Sequence, residues 1–450
     1  MTSSPRGPLT ARLGAALLLL VIALPAAARQ DEGDVVDIIL SGGQRAKMRL
    51  AFPAAARPPA PPPEAERAID ELEATLRNDL VLSGIFDVAG PEELSAARIT
   101  GDRDQDFEQY RALGNEVVLL NEMKLDGDKI VLEGVLYDLA SKSFILGKSY
   151  TATFDLARTV AHTFSDEIVL YFSGRKGIAL TAIAFTSNRD DSTGRNKELY
   201  LMDYDGFDQR RISGHQSLTL APDWAPNGED LAYISFYQGP ASLYRVERST
   251  GAKREILVDD VMSTSPSFSP DGSRIAFARS VEGNVEIFTV DRNGGNLKRI
   301  TNSGGIDTNP AWSRNGRQIA FTSSRSGSPQ IYLMDVDGSN VRRVTLQGSY
   351  NDGASWHPDG SRIIFSKRTR DGSRFDVAVL DLGTLEEATL TQGPGNHEHP
   401  EYSPDGRFIV FESSRAGGTQ IFVMNEDGGN LRQLTTRGGN SAPSWSPYLE

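Results

Sequence analysis

The sequence contains no cysteine, and only five of its 450 residues are histidine. The absence of cysteine excludes disulfides, thiolate metal sites and cysteine nucleophiles, and it removes the residue on which a bacterial lipoprotein is acylated. Basic residues are in the minority, with 47 Lys and Arg against 60 Asp and Glu, for a formal net charge of −13. Nucleic-acid binding rests on basic surface, so this balance disfavours nucleic acid as a partner.

Long apolar runs are absent apart from one near the start. Leu13 to Leu24 is apolar, Arg6 and Arg12 precede it, and the small residues of 25–28 follow it. This order is typical of an export signal over residues 1–28, cleaved after the small residues. The run is short for a bilayer span, and an uncleaved anchor is the alternative. The remaining chain is predicted to be soluble and to have no transmembrane segment.

Turn residues are abundant, with 43 glycines along the chain. From Thr181 onward the sequence repeats a unit of short apolar runs separated by Asn-Gly, Ser-Gly or Asp-Gly pairs, which favour hairpin turns. In the unit that starts at Pro310, the runs and turns are 310–312, Asn315-Gly316, 319–321, Ser326-Gly327, 330–335, Asp337-Gly338 and 341–345. Four strands in up-and-down order fit one such unit.

An aromatic anchor stands at the start of each unit and recurs with spacings of 44, 44, 44, 46 and 43 residues. The anchors are Trp224, Phe268, Trp312, Trp356, Tyr402 and Trp445. A four-stranded repeat of this period is typical of a propeller blade, because one small twisted sheet buries both faces only when neighbours stack around an axis. The anchors are therefore expected to pack between blades. The predicted fold is an all-β six-bladed β-propeller over residues 176–450.

The two ends of the repeat region are incomplete. The first unit lacks its anchor, and the last anchor, Pro443 to Tyr448, lacks the rest of its unit. Together the two fragments make one blade. The C-terminal strand is therefore predicted to pair with the sheet that begins near Thr181 and to close the ring, which removes unpaired edges.

Residues 44–175 lack this repeat, show both helical and strand patterns, and are predicted to form a small α+β domain. Asp34 to Leu50 has a strand-like composition, and a Pro-rich stretch, 53–63, follows it. Apolar residues then fall at helical spacing; they are Ala65, Ile69, Leu72, Leu76 and Leu80. Strand patterns at 117–120, 130–137 and 144–154 precede an amphipathic helical pattern at 157–171.

Motifs in both regions resemble those of the TolB family, and the resemblance covers essentially the whole chain after the signal. They are Asp79-Leu80 with Ser83-Gly-Ile-Phe86, Ala161-His162 with Ser165-Asp-Glu167, the stretch 173–177, and the terminus Pro443 to Leu449. The sequence departs from the family at 177–182, Ala354 and Arg314. The resemblance implies a non-catalytic, monomeric adaptor of the Tol–Pal system in the periplasm of a Gram-negative bacterium. It implies no cofactor, and a role in outer-membrane integrity and in constriction during cell division.

Catalytic and metal motifs are weak. The chain has no Gly-x-Ser-x-Gly pentapeptide, which a serine hydrolase of the α/β type needs. Asp203 to Gly206 and Asp335 to Gly338 have glycine at the fourth position, whereas an EF-hand loop needs it at the sixth, so these acids are predicted to form hairpin turns. His397-Glu398-His399 offers at most two zinc ligands and is predicted to be a solvated or partner-contacting loop. His162 is predicted to be structural.

The segments just before the anchors differ among the units, whereas the anchors repeat. Each segment joins an outer strand to the next blade's innermost strand, so all of them are predicted to be loops at one mouth of the central channel. In the TolB family this face receives the lipoprotein Pal, and the resemblance implies the same here. The predicted Pal-binding residues are Leu218, Thr219, Met262, Ser263, Thr264, Ser265, Asp307, Thr308, Asn309, Asn351, Asp352, His397 and Glu398.

The segment 29–43 that follows the signal resembles the family's TolA-binding N-terminus. Its predicted TolA-binding residues are Asp34, Val35, Val36, Asp37, Ile38, Ile39, Leu40 and Ser41. Apolar side chains would lie on both faces of a strand here, so the segment needs backbone partners, either in TolA or in its own chain. The alternative is a permanent first strand of the α+β domain.

A small-ligand-binding or protease-associated propeller is the alternative function. Its sign would be acids and bases that converge in the channel. Asp307, Asp352, Glu398 and Glu401 are predicted to supply acidity there, which leaves room for a channel cation.

Overall fold

The structure of the protein is a computed structural model that describes residues 47–449. The predicted signal, 1–28, and the predicted TolA-binding segment, 29–43, lie outside these residues. Contacts divide the chain between Arg175 and Lys176 into two units. None of the helices formed by residues 47–449 has both the length and the hydropathy that crossing a membrane requires.

The first unit combines a five-stranded sheet with helices. Its strands are β1 Met48–Ala51, β2 Phe86–Ala89, β3 Val117–Asp126, β4 Lys129–Asp138 and β5 Phe144–Thr153. Its helices are α1 Pro63–Leu82, α2 Pro91–Leu94, α3 Arg103–Ala112 and α4 Ala157–Ser173, with a 3₁₀ turn at Phe154–Leu156. The strand order is β2-β1-β3-β4-β5, in which β1 runs parallel to both neighbours and β3, β4 and β5 are antiparallel.

The helical spacing in α1 builds the core of this unit. All five apolar residues predicted to line one face are fully buried, and four of them, all but Ala65, belong to the core formed with α4 and the sheet. His162 of α4 is also buried, and its Nδ1 lies 2.7 Å from Oδ2 of Asp79 on α1. Ser165 donates to the same carboxylate oxygen at 2.9 Å. These contacts tie the two helices together, in agreement with a structural role for His162.

Two elements of this unit are not evident from the sequence. Helix α3 buries only Asp106, Phe107 and Tyr110, which is too few apolar residues to show a helical period. Its start is fixed locally, because the Asp102 side chain accepts a hydrogen bond from the Gln105 backbone nitrogen at 3.0 Å. Strand β2 has only four residues. Short elements of this kind depend on packing, which a sequence pattern does not display.

The second unit consists of six four-stranded antiparallel sheets, which confirms the predicted six-bladed β-propeller. Blade 1 contains β6 Ala182–Ser187, β7 Glu198–Asp203, β8 Arg210–Arg211 and the C-terminal strand β29 Asn440–Trp445. Blade 2 contains β9 Thr219–Trp224, β10 Asp230–Ser235, β11 Ser242–Glu247 and β12 Lys253–Leu257. Blade 3 contains β13 Ser263–Phe268, β14 Arg274–Val281, β15 Asn284–Asp291 and β16 Lys298–Arg299.

The remaining blades follow the same order. Blade 4 contains β17 Asp307–Trp312, β18 Gln318–Ser323, β19 Gln330–Asp335 and β20 Arg342–Arg343. Blade 5 contains β21 Asn351–Trp356, β22 Arg362–Arg368, β23 Phe375–Asp381 and β24 Glu387–Thr389. Blade 6 contains β25 His397–Tyr402, β26 Phe408–Ser413, β27 Gln420–Asn425 and β28 Arg432–Gln433.

The ring closes through the C-terminal strand. β29 pairs antiparallel with β6, with Trp445 opposite Ile183 and Asn440 opposite Ser187. The Trp445 indole also donates to Oγ1 of Thr181 at 2.9 Å. The prediction that the two incomplete ends of the repeat form one blade is confirmed.

The aromatic anchors lie between blades, as predicted. All six are buried. The Trp224 indole of blade 2 donates to the Ser444 carbonyl of blade 1 at 3.1 Å, and the Trp356 indole of blade 5 donates to the Ala311 carbonyl of blade 4 at 3.0 Å. Each of these anchors therefore holds its own blade to the preceding one.

The Asp-Gly pairs form the turns between third and fourth strands, as predicted. The Asp203 nitrogen donates to the Phe207 carbonyl and the Asp335 nitrogen to the Ser339 carbonyl, each at 2.9 Å. Gly338 has a φ of 93°, and a Cβ added to it would lie 2.5 Å from the Ile300 carbonyl oxygen of the preceding blade. Glycine is thus required both by the turn and by the close approach of two blades.

Candidate functional site: the channel and its upper mouth

The six inner strands, β9, β13, β17, β21, β25 and β29, line a central cavity of about 260 Å³. We call the end where these strands begin the upper mouth and the end where they finish the lower mouth. Every inner strand has a register shift near its third residue, which has a positive φ between 49° and 65°. These residues are Ala221, Ser265, Asn309, Gly353, His399 and Ala442. Each bulge changes which side chains face the channel.

The prediction that the proposed Pal-binding segments are loops is wrong, because most of their residues lie in strands. Apart from Leu218 and Met262, which directly precede inner strands, they lie within the first three residues of those strands. The first residue of each strand is at most 1% exposed; these residues are Thr219, Ser263, Asp307, Asn351 and His397. From the sequence, each inner strand is expected to start at its apolar anchor, because the polar residues before the anchor have the composition of a loop. Their side chains are instead buried by contacts with neighbouring strands.

Asp307 and His397 illustrate these buried contacts. Asp307 accepts a hydrogen bond from Nη2 of Arg325 at 2.8 Å. Its carboxylate is thus paired inside the blade, and the prediction that it contributes negative charge to the channel is wrong. The ring nitrogens of His397 lie 2.9 Å from Oγ of Ser413 and 3.1 Å from Nη2 of Arg415. Burial, together with Arg415, lowers the pKa of His397 to about 4. His397 is therefore a neutral residue of the blade interior, and the prediction of a solvated loop is wrong for it.

The second residues of the inner strands reach the channel mouth and differ from blade to blade. Going round from blade 1 they are Ser441, Leu220, Thr264, Thr308, Asp352 and Glu398. Their antiparallel partners on the second strands are Thr186, Ile234, Ala278, Thr322, Ser366 and Glu412. Blade 2 thus brings the partly exposed Leu220 to the mouth, whereas Ile234 and Ala278 are buried. Blades 5 and 6, across the ring, bring carboxylates.

The acidic side is organised by hydrogen bonds. Asp352 Oδ1 accepts from Asn309 Nδ2 and from Thr322 Oγ1, each at 2.7 Å. His399 Nδ1 lies 3.3 Å from Glu412 Oε2, while 53% of the His399 side chain is exposed to the channel. Burial lowers the pKa of His399, but Glu412, with Asp352 and Glu398, outweighs it and raises the pKa to about 9. His399 is protonated at neutral pH and offsets one of three carboxylates.

The apolar side extends outward to four exposed residues, which we call the apolar rim. They are Phe236 (37% exposed), Tyr237 (55%), Met262 (44%) and Ile306 (53%). Met262 and Ile306 precede inner strands, and Phe236 and Tyr237 belong to the turn between the second and third strands of blade 2. This aromatic pair is not among the predicted site residues, because it lies in a turn within a blade and not in a connection between blades. The signal was present, since no other blade has an aromatic residue at either of the two corresponding positions, and three blades have Arg at the second, as in Ser324-Arg325.

Deeper in the channel, charged residues come from alternate blades. Asp223 of blade 2, Arg314 of blade 4 and Glu401 of blade 6 all line the cavity. Burial raises the pKa of Asp223 to about 7, against the opposing effects of the Phe268 backbone N–H, which donates at 2.7 Å, and Arg314. Burial and Asp223 raise the pKa of Glu401 to about 8. One cation therefore faces two carboxyl groups that titrate as a pair near neutral pH.

This pair predicts a pH dependence of stability. Both carboxyls have folded pKa values above the ordinary value near 4, so between about pH 4 and pH 8 the folded protein binds more protons than the unfolded chain. The free energy of unfolding should then fall as the pH rises from about 4 to about 8 and level off above that. We expect Glu401→Gln to flatten the decrease in melting temperature between pH 6 and pH 9. Equal pH slopes for the variant and the unmodified protein would contradict this assignment.

Among residues 47–449, no group of three or more His, Asp or Glu side chains is placed to hold a metal ion. His397 and His399 illustrate the reason: the first faces the blade interior and the second the channel. The predicted channel cation remains an expectation.

Fold and site together define a class of protein: a small α+β domain followed by a closed six-bladed β-propeller with a varied surface at one mouth. Comparison with known families agrees with this class. The family profile described as the TolB beta propeller domain matches residues 171–449, and that described as the TolB amino-terminal domain matches residues 36–145. The chain belongs to the TolB family.

Individual relatives agree with this assignment. The chain is 35% identical over 215 residues to the Tol-Pal system protein TolB of Geobacter sulfurreducens, covering 48% of each chain. It is 32% identical over 241 residues to that of Alkalilimnicola ehrlichii, covering 53% of this chain and 54% of the relative. The chain thus spans about half the length of the curated relatives it matches. The crystal structure of TolB from Acinetobacter baumannii superposes with a TM-score of 0.78 at 26% identity, covering 90% of this chain and 97% of that one.

Proposed function

We propose that this protein is a non-catalytic component of the Tol–Pal system in the periplasm of a Gram-negative bacterium. In this role the propeller binds the lipoprotein Pal at the upper mouth, and the N-terminal segment binds TolA. The adaptor would link these two partners and so support outer-membrane integrity and constriction during division. Membership of the TolB family carries the proposal. The absence of a nucleophile-elbow pentapeptide from the sequence supports a binding role over a hydrolytic one.

The upper mouth is the proposed Pal site because its surface does not repeat. The anchors and second strands recur in every blade and are buried, so they serve the fold. The residues that reach the mouth are partly exposed and change from apolar to acidic around the ring. Binding sites on a rigid scaffold are usually formed by exposed residues of this kind. Of the predicted Pal-binding residues, Met262, Thr264, Thr308, Asp352 and Glu398 fit this description best.

Replacing Met262, Thr264 and Thr308 together with glutamate should abolish Pal binding. Thr264 and Thr308 are second residues of inner strands and Met262 is exposed, so the bulky charged side chains project into the mouth without entering a blade core. We expect at least a hundredfold loss of affinity by isothermal titration with purified Pal. The melting temperature should stay within a few degrees of the unmodified protein. Full affinity in the triple variant would place the Pal site elsewhere.

Deleting residues 29–41 after the signal should abolish TolA binding and leave Pal binding unchanged. The deleted segment lies outside the described residues, in which the first strand of the sheet is Met48–Ala51. A strand-like segment before that point offers backbone groups for strand addition to a partner. Surface plasmon resonance with the periplasmic part of TolA measures the loss. Undiminished TolA binding would rule out the segment as the site, and loss of the whole fold would identify it as a permanent strand.

A further inference from the structure

The apolar rim breaks the propeller repeat in a specific way. At the position of Tyr237, blades 1, 4 and 6 have Arg189, Arg325 and Arg415. These arginines fold back over aromatic rings of their own blades, 4.8 to 5.7 Å from the ring centroids, and bond to buried polar residues at the strand starts. In blade 2 a tyrosine takes this position, and 55% of it is exposed.

Tyr237 is held in place by the blade beneath it. Its ring centroid lies 4.7 Å from that of His215 in an edge-to-face arrangement, and His215 Nε2 lies 2.7 Å from the Tyr233 hydroxyl. His215 and Tyr233 are both buried. A supported aromatic ring loses little conformational freedom when a partner covers it, which is typical of residues that dominate binding energy.

The rim spans blades 2, 3 and 4, and its blade 2 and blade 3 parts are joined by backbone hydrogen bonds. The Phe236 nitrogen donates to the Leu218 carbonyl at 3.1 Å, and the Ser263 nitrogen of blade 3 donates to the Ala241 carbonyl of blade 2 at 2.8 Å. These bonds join the aromatic turn to the segment that carries Met262. Ile306 occupies the corresponding position of blade 4, where its carbonyl accepts from the Ser324 nitrogen at 3.0 Å.

Across the mouth, the carboxylates favour one kind of neighbour. Asp352, Glu398 and Glu412 face two cations, His399 and Lys197. Lys197 donates at 2.6 Å to the adjacent Ser441 hydroxyl and interacts electrostatically with Glu412. The apolar rim has no charged residue among its four members. A partner that covers the whole mouth therefore contacts an apolar surface on one side and a carboxylate-rich surface on the other.

We propose that the upper mouth binds its protein partner in two parts: the apolar rim anchors an apolar patch, and Asp352 and Glu398 receive a bordering lysine or arginine side chain. This inference rests on the proposed function and adds to it the chemistry of the partner surface. The apolar contact is expected to slow the dissociation rate, because the buried apolar surface is exposed to water again when the complex separates. The charged contact lies beside it and acts mainly on association, where salt screens it.

The test measures the affinity of purified Pal for the full mature protein between 50 mM and 500 mM salt. Phe236→Ser with Tyr237→Ser should weaken binding at least thirtyfold at every salt concentration. Phe207→Ser is the matched control, because Phe207 is 49% exposed but belongs to a turn between third and fourth strands, at the lower mouth. Asp352→Asn with Glu398→Gln should weaken binding at low salt and flatten its salt dependence. Ile306→Ser tests the rim again without touching the His215 cluster.

The outcomes separate this inference from the proposed function. If the rim variants bind with unchanged affinity while the Met262, Thr264 and Thr308 variant does not bind, the two-part mode is wrong and the Pal site at the mouth stands. If the carboxylate variant keeps the salt dependence of the unmodified protein, the charged half of the inference is wrong. If the unmodified protein does not bind Pal, the proposed function fails, and the inference fails with it.

Discussion

Deletion of residues 441–450 is expected to open the propeller and to leave a protein that aggregates or melts far below the intact chain. The deletion removes most of β29, so β6 loses its pairing partner at the channel and exposes an unpaired edge. It also removes Trp445, which is 3% exposed, and the Ser444 carbonyl that accepts from the Trp224 indole. Contacts of blade 1 with both neighbouring blades are lost at once.

The size of this effect follows from ordinary magnitudes. Removing one buried tryptophan costs about 3–5 kcal/mol, which is a large part of the roughly 5–15 kcal/mol that stabilises a typical domain. At about 2 °C per kcal/mol for a domain this large, the loss of this one side chain alone lowers the melting temperature by about 6–10 °C. Differential scanning calorimetry and sedimentation velocity measure the two consequences. Removal of residues 29–41 serves as the control for a deletion of similar length.

A peptide of residues 440–450 provides a second check on the shared blade. If the missing strand is the cause, the peptide added in trans should raise the melting temperature of the shortened protein. An unchanged melting temperature after the deletion alone would contradict the closure that the strand pairing indicates.

Gly294→Ala is expected to destabilise the propeller much more than the same change at Gly327. Both glycines have similar positive φ values, 92° and 98°. An added Cβ at Gly294 would lie 2.3 Å from the Ile256 carbonyl oxygen, whereas at Gly327 it would meet nothing within 4 Å. Ile256 belongs to β12 of the preceding blade, so relief of the clash requires one blade to move against another.

The matched pair separates backbone strain from the clash. Strain at a positive φ costs roughly 1–3 kcal/mol in both variants. The clash destabilises only the Gly294 variant. We therefore expect Gly294→Ala to lower the free energy of unfolding by about 2 kcal/mol more than Gly327→Ala, within the range of overpacking effects. Urea unfolding with an unchanged m-value measures both. Equal midpoints for the two variants would show that the blades adjust freely at this contact.

The sequence by itself determined the number of blades, the four-strand order and the closure of the ring. Strands, turns and anchors are local features, and a period near 44 residues repeats them often enough to be recognised. The repeat has an incomplete unit at each end, and only pairing the two with each other completes a blade. β29 and β6 form this pairing. Helix α1 was equally evident, because its apolar residues follow the helical period. Helix α3 was not, because it buries so few.

The tertiary structure alone decided which polar residues near each anchor are buried and which reach the mouth. His397 and His399 are two residues apart, yet one is fully buried and the other is largely exposed to the channel, because the bulge between them breaks the strand's alternation. Ring closure then brings distant parts of the chain into one mouth, so that the apolar rim of blades 2 to 4 faces the carboxylates of blades 5 and 6. Neither the direction of a side chain at a bulge nor a neighbour across a ring is a local property of the sequence.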